Sequence, residues 1–331
     1  MLQNTRWTRP LLASMIAIAC AAAAGTASAD DAALPKLAAK KPLKVGFAQT
    51  ESNNPWRLAE TKSFKDVASK CGWQMVMTDA NSSAAKQVSD IRSMIAQKVD
   101  LLVFPPREEK PLAPVILEAK KAGIPVILVD RNVDQSLAAA GKDYITFIGS
   151  DFIDQGKRAA DWLIKATNGN AKIIELEGST GASAANDRKK GFDDEVAQHS
   201  GMQIIASQSG DFARDKGRQV METLLQSHPE VTAVYAHNDE MALGAIAAIK
   251  AAGKVPGKDI TIVSIDGTKG ALDAIKAGEL GADVQSSPFF GPLACEVAQK
   301  YAKGESIGPW VKVSDKFYDK ANVEASMKDG Y

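Results

Sequence analysis

The chain has 331 residues, 45% of them hydrophobic and 24% charged. That is an ordinary globular balance, long enough for two compact lobes and too polar for a polytopic membrane protein. Its 40 basic and 40 acidic residues cancel, so the basic surplus of a nucleic-acid binder is missing; its three cysteines exclude a disulfide-dense scaffold, and no spacing among them resembles a zinc site.

Residues 1–29 predict a secretory signal peptide. Met1–Pro10 carries Arg6 and Arg9 and no acid, and Leu11–Ala24 is an almost unbroken apolar run. Ala27-Ser28-Ala29 then places small residues where a signal peptidase reads. The run is too short to cross a bilayer and stop there, so cleavage between Ala29 and Asp30 is expected rather than a membrane-anchored helix. Cys20 opens a lipoprotein alternative, but Ala17-Ile18-Ala19 lacks the usual Leu three residues before the cysteine. Without Arg6 and Arg9 the chain keeps 38 basic against 40 acidic residues, a net of −2. The expectation is an exported, soluble and near-neutral protein.

From Leu43 onward, short aliphatic runs alternate with helical periods. Leu43–Ala48, Gln74–Met77, Leu101–Phe104, Val126–Val129 and Ile145–Ile148 read as one set of strands. Ile173–Leu176, Gln203–Ala206, Ala233–Ala236, Ile260–Ile265 and Gly281–Val284 read as a second. Amphipathic stretches lie between them, such as Phe64, Val67, Ala68 and Cys71 at i, i+3, i+4 and i+7. This alternation predicts an α/β protein with parallel sheets covered by helices on both faces. The two sets look like copies. Cys71-Gly72 leads into Trp73–Met77 as Ser200-Gly201 leads into Met202–Ala206, and one strand ends at Asp130 as another ends at Asp266. A sheet of about five strands is a complete domain, so the copies predict two doubly wound lobes rather than one continuous sheet.

In open α/β sheets ligands bind beyond the carboxyl ends of the strands, and the polar residues of this chain collect there. Asn54, Trp56 and Arg57 follow the first predicted strand and Asp130-Arg131 the fourth. Arg188 lies early in the helix after the sixth, Phe212 follows the seventh, Asn238 the eighth, and Asp266 the ninth. Taken singly, Asp239 and Asp211 read as helix caps. Repetition at the same end in both halves points instead to one cleft with a ligand between two lobes. Carboxylates accept hydroxyl hydrogen bonds, guanidinium and amide groups donate to hydroxyl oxygens, and Trp56 and Phe212 offer faces for C–H surface. Such a set suits a sugar; a phosphate would want a glycine-rich turn and a cationic surplus.

Five segments, in order, carry a resemblance: Ile124–Arg131, Gly178–Phe192, Gln208–Phe212, Tyr235–Met241 and Ser264–Gly267. Over nearly all of residues 43–313 the chain resembles the periplasmic sugar-binding proteins of ABC importers, in the ribose-binding group. Trp56-Arg57 with Glu60-Thr61, Ala182–Phe192, Ser207–Arg214 and Ala236–Asp239 are most similar to the galactofuranose binders. The resemblance implies two lobes joined by a hinge, residues 30–149 with 286–313 and residues 150–285 with 314–331. The chain would cross near Gly149-Ser150, Gln285-Ser286 and Val313-Ser314; the first two crossings also follow from the strand ends that flank the second copy. It further implies sugar contacts at Asn54, Trp56, Arg57, Asp130, Arg131, Arg188, Phe212, Asn238 and Asp266. The implied protein is a monomer that delivers a monosaccharide to an inner-membrane ABC permease, with no catalysis, cofactor, metal or nucleic acid. Galactofuranose is the first expectation, with a pentose or another hexose, or partnership with a chemoreceptor, as alternatives. Two stretches depart from the galactofuranose pattern, Asn53-Asn54-Pro55 and Arg107-Glu108-Glu109; Arg57 stands where ribose binders present a second aromatic.

No dinucleotide fingerprint, Walker sequence, nucleophile elbow or His-Glu-x-x-His occurs. An exported sugar-converting enzyme is the remote alternative, with Asp130 and Asp266 as its conceivable acid/base pair. His199 and His228 are expected at exposed helix ends, and His237 as a support for Asn238. Cys71 and Cys295 could pair in an oxidising compartment, but Cys71 lies on the apolar face of its helix and is expected as a buried free thiol.

Overall fold

The structure is a computed structural model that describes residues 33–39 and 41–331. The expected signal peptide, Cys20 and the first residues of the mature chain lie outside the described residues. The first half runs β1 (Leu43–Gln49), α1 (Pro55–Cys71), β2 (Trp73–Asp79), α2 (Ala84–Ala96), β3 (Leu101–Phe104), α3 (Glu109–Lys121), β4 (Val126–Val129) and β5 (Thr146–Gly149). The second runs α4 (Phe152–Ala166), β6 (Ala171–Glu177), α5 (Ser183–Val196), β7 (Met202–Ser209), α6 (Arg214–Ser227), β8 (Ala233–Ala236), α7 (Asp239–Ala251), β9 (Thr261–Asp266), α8 (Lys269–Ala277) and β10 (Ala282–Gln285). It closes with α9 (Gly291–Ala302), β11 (Trp310–Lys312), β12 (Phe317–Asp319) and α10 (Val323–Ser326).

These strands form two six-stranded sheets of matching order, β11-β5-β4-β3-β1-β2 and β12-β10-β9-β8-β6-β7. The strands are near-continuous apolar runs because each sheet is buried on both faces. Side chains alternate across the sheet: Val103 and Ile127 pack with Phe47 and Phe64 on one face, while Leu102 and Leu128 pack with Ile91 and Met94 on the other. The second lobe repeats this with Tyr235 and Ile265 against Phe192, and Val234 and Ile262 on the opposite face.

Ten strands were expected and twelve are present among the described residues. The additional two are three residues long: β11 extends the first sheet in parallel beside β5, and β12 joins β10 antiparallel. Neither carries an apolar run, and Trp310 and Lys312 stay exposed, so no periodicity marks them. The chain passes between the sheets three times, after β5, after β10 and between β11 and β12. The helices follow these passages: α4 leaves the first sheet and packs on α5, β9 and β10, while α9 leaves the second and packs on α1.

That return of α9 overturns the expectation of free thiols. Cys71 at the end of α1 and Cys295 in α9 are joined in a disulfide, their Cα atoms 6.1 Å apart. The apolar face that suggested a buried thiol is the face that meets α9.

Candidate functional site

Loop and helix starts at the strand carboxyl ends bring all nine expected site residues around one cavity, joined there by Glu51 and Ala184. All nine are buried, none more than 8% exposed, and the cavity between them measures about 30 Å³, far below the roughly 300–1,000 Å³ of an open ligand pocket. The local reasons are visible in the chain. Asn54 is the N-cap of α1, its Oδ1 accepting from Arg57 N at 2.9 Å, with Pro55 opening the helix. Asn238 caps α7 in the same way, and its Nδ2 donates to the Phe212 carbonyl at 3.2 Å. Asp130 (φ 57°) and Asp266 (φ 149°) both sit in backbone that side-chain-bearing residues seldom adopt, a form of strain that concentrates at ligand clamps. Phe212 (φ 57°) turns its ring onto Gly178, where a Cβ would lie 2.0 Å from the ring.

The first-lobe wall is a web of charge. Arg57 reaches Asp130 at 2.7 Å, Glu60 at 2.8 Å and Glu51 at 3.2 Å. Arg131 lies 3.4 Å from Glu51 and 3.6 Å from Asp130, and Arg107 lies 3.7 Å from Glu51. Burial pushes the Glu51 carboxyl up, but Arg131, Arg57 and Arg107 outweigh it and hold the group down at about 2. Burial also works against the Arg57 charge, yet Asp130, Glu60 and Glu51 leave it more firmly protonated than an ordinary arginine. Trp56 completes this wall, with the Arg57 guanidinium 4.6 Å from its ring centroid and its Nε1 donating to Ser286 O at 2.8 Å.

The second-lobe wall has the opposite character. Arg188 donates to Gln155 Oε1 at 2.9 Å and to the His237 carbonyl at 2.6 Å, and stands 3.7 Å from Asp266. Burial pushes the Asp266 carboxyl well above the usual carboxylate range; Arg188 opposes the rise while Asp239 and Asp130 add to it. Behind Asp266, the carboxyls of Asp239 and Asp283 both accept from Gly267 N, at 3.1 and 2.9 Å, and both are pushed up by burial.

The lobes meet around the cavity. Arg107 pairs with Asp211 at 2.8 Å, Asn132 N donates to Ser183 Oγ at 2.8 Å, and Asn186 Nδ2 donates to Glu109 Oε2 at 2.6 Å. The Phe212 ring lies between Arg131 at 5.3 Å and Arg188 at 5.9 Å. Inside, Glu51 Oε2 and Arg131 Nε are buried without a hydrogen-bond partner. Buried polar atoms are nearly always satisfied, so these two are groups a ligand hydroxyl could engage.

A family model described as periplasmic binding protein domain matches residues 45–306. The chain belongs to the periplasmic binding protein family. It is 41% identical over 280 residues to the galactofuranose-binding protein YtfQ of Escherichia coli (strain K12), covering 83% of this chain and 87% of that one. A Mycobacterium smegmatis structure in complex with β-D-fucofuranose is 42% identical, with a TM-score of 0.82, over 87% of this chain and 94% of that chain. The periplasmic binding protein component of the arabinose ABC transporter from Shewanella sp. ANA-3, bound to α- and β-L-arabinofuranose, is 38% identical. Its TM-score is 0.81, over 86% of this chain and 95% of that chain. The two-lobed architecture is the type I periplasmic binding protein fold.

Several residues of this periplasmic binding protein have roles that sequence reasoning missed or misread. Glu51 was overlooked although it follows β1 as Asn54 does. Asp239 is no cap for its own helix: Asn238 fills that role, and Asp239 accepts from Ser264 Oγ, Gly267 N and Thr268 N, fixing the turn after Asp266. Asp211 gives its carboxylate to Arg107 across the cleft, and the residue before α6 is Ala213, which makes no side-chain cap. His237 supports Arg188 through its carbonyl rather than Asn238. Its Nδ1 accepts from Gly178 N at 3.2 Å, which leaves Nε2 as the proton-bearing nitrogen facing Glu175 at 3.0 Å. Both ring nitrogens are therefore engaged away from the cavity. His199 and His228 lie at helix ends but are half-buried. Among the described residues no group of three or more His, Cys, Asp or Glu could hold a metal ion, and no helix is long and apolar enough to cross a membrane.

Proposed function

We propose that this protein is a non-catalytic receptor that captures a neutral monosaccharide between its lobes and hands it to an ABC permease. The carrying observation is the mixture of guanidinium and carboxyl groups around the cavity. Glu51, Asp130 and Asp266 face Arg57, Arg131 and Arg188, with members of both signs from both lobes. Hydroxyls can accept from guanidinium groups and can either donate to a carboxylate or accept from a protonated carboxyl, so they match every member of that set. Trp56 and Phe212 supply the apolar cover for a sugar ring.

Within the monosaccharides, a furanose is favoured, galactofuranose first. Relatives with galactofuranose, fucofuranose and arabinofuranose in their names or complexes support this. So does Arg57, a fork-shaped donor able to reach an exocyclic hydroxyl. A pentose or another hexose is the alternative. The nine expected residues are the proposed contacts: Asn54, Trp56, Arg57, Asp130 and Arg131 from the first lobe, and Arg188, Phe212, Asn238 and Asp266 from the second. Since neither set surrounds a sugar alone, a hinge at the three passages closes the lobes, and the sugar favours the closed state because only there are both sets of bonds made. Residues 1–29 act as the export signal, and the mature receptor works as a monomer in the periplasm.

Titration calorimetry with galactose, arabinose, ribose and a panel of amino acids tests the reading. The expected result is saturable binding of one or more sugars and none of the amino acids. Tight binding of an amino acid with no response to sugars would overturn it.

A further inference from the structure

Gln155 lies one helical turn after the first passage, in α4, and is fully buried. A glutamine amide carries one acceptor oxygen and two donor hydrogens, and three different segments take them. Its Oε1 accepts from Arg188 Nε at 2.9 Å; its Nε2 donates to the carbonyl of Gln285 at 3.2 Å and to Asp315 Oδ2 at 2.8 Å. The orientation of the amide is fixed by its partners, because Arg188 can only donate and the Gln285 carbonyl can only accept. Gln285 ends β10 at the second passage, and Asp315 lies in the third, between β11 and β12. One side chain therefore joins a cavity arginine to the segments on which the two lobes turn.

The surroundings hold this arrangement tightly. At the crossing of α4 and α5, a Cβ on Gly156 would lie 2.2 Å from the Arg188 carbonyl, and one on Gly191 would lie 2.0 Å from the Ile153 carbonyl. These glycines let the helices approach closely enough for Gln155 to meet Arg188. The first lobe reaches the same passage through Trp56, whose Nε1 donates to the carbonyl of Ser286, the residue after Gln285. Two consecutive carbonyls of the second passage thus accept from a side chain of each wall, Gln155 behind Arg188 and Trp56 in the first lobe, and the Ser286 carbonyl also accepts from Tyr331 Oη at 3.4 Å.

We propose that Gln155 is a positioning residue that couples the ligand-facing guanidinium of Arg188 to the passages between the lobes, so that seating the sugar and fixing the lobe angle are one event. The proposal rests on the sugar-receptor reading. An arginine displaced by loosening of the passages would present its donors at the wrong angle, and a sugar seated on Arg188 would resist that loosening. Energetic coupling of this kind appears as non-additivity when both members are changed.

The test uses the exported full-length chain, with sugar affinity from calorimetry and lobe separation from a spin-label pair, one label in each lobe. Gln155→Met should weaken sugar binding at least tenfold and broaden the lobe separation of the loaded protein. Arg188→Met should also weaken binding, and the double variant should be little weaker than Arg188→Met alone. Gln155→Glu keeps the acceptor for Arg188, loses both donors and adds a carboxylate beside Asp315. It should broaden the separation even without sugar, and it serves if Gln155→Met fails to fold. Unchanged affinity in Gln155→Met, losses that multiply in the double variant, or a wild-type separation in Gln155→Glu would each overturn the coupling. Failure of the wild-type protein to bind any sugar in the same titrations would instead overturn the sugar reading, and the sugar-free separations would still judge Gln155.

Discussion

Asp130 and Asp266 stand at the same place in the two halves, at the carboxyl end of the fourth strand of each sheet, both with positive φ. Their surroundings are opposite. Asp130 belongs to a web in which Arg57, Arg131 and Arg107 meet Glu51 and Glu60. Asp266 has one cation, Arg188, at 3.7 Å, with the carboxyls of Asp239 and Asp283 behind it. A repeated backbone has thus been given two different electrostatic tasks: the first lobe holds its own charges in place, and the second presents a carboxyl short of partners. In the proposed reading, a sugar between them meets a guanidinium-rich wall on one side and a carboxyl short of partners on the other.

Removing the centre of the first web should have the largest effect. Glu51→Ala leaves Arg57, Arg131 and Arg107 facing one another, and breaking a buried charge cluster in this way typically costs about 3–5 kcal/mol. Urea unfolding checks it, and a loss below about 1 kcal/mol would mean that Glu51 does not organise the first wall.

Acid should separate the walls next. Glu51, held at about 2 against an ordinary 4.5, contributes its stability in full above that ordinary value and loses it as pH falls toward 2. The full contribution is on the order of 3 kcal/mol. Asp266, Asp239 and Asp283 are shifted upward, so their ionisation weakens the fold as pH rises and they gain on acidification. Glu51→Gln should therefore flatten the acid limb of a stability-against-pH curve, whereas Asp266→Asn should leave that limb in place.

The paired substitution is the sharpest form of the comparison. Asp130→Asn removes the partner 2.7 Å from Arg57 and should cost about 3 kcal/mol of stability. Asp266→Asn, replacing a carboxyl that burial already disfavours as an anion, should stay within about 1 kcal/mol. Both should weaken sugar binding. Equal stability losses would erase the distinction between the lobes.

The smallest expected effect concerns Asp239. Asp239→Asn can keep its oxygen toward Gly267 N and Thr268 N and donate from its amide nitrogen to Ser264 Oγ, while easing the crowding with Asp283, so stability should change by about 1 kcal/mol or less. Sugar affinity should still fall severalfold, because the turn that follows Asp266 loses part of its anchoring; unchanged affinity would reduce Asp239 to a scaffold role.

Some of this architecture could be read in the chain and some could not. The strands Leu101–Phe104, Val126–Val129 and Ala233–Ala236 announce themselves as apolar runs because sheets covered on both faces require them. The clustering of Asn54, Asp130, Arg188 and Asp266 about one cavity follows from repetition at strand ends, and their contacts with a sugar remain part of the proposal. What escaped depends on contacts far apart in sequence. β11 and β12 are strands only because β5 and β10 offer them an edge. Cys71 finds Cys295 only because α9 returns to the first lobe. Glu51 and Gln155 gain their roles from the three arginines and the passages that surround them, and neither has a local pattern of its own.

The most direct test of the central claim, a neutral furanose held between the two walls, is a carbon-13 NMR titration with galactose labelled at C1. The anomeric carbon of a furanose resonates apart from that of a pyranose, so the bound ring form is read from one signal. The account predicts a bound furanose resonance that saturates at one equivalent per protein and vanishes in both Arg131→Ala and Asp266→Asn, one change in each wall. A bound pyranose signal, or a furanose signal that survives the change in either wall, would contradict it.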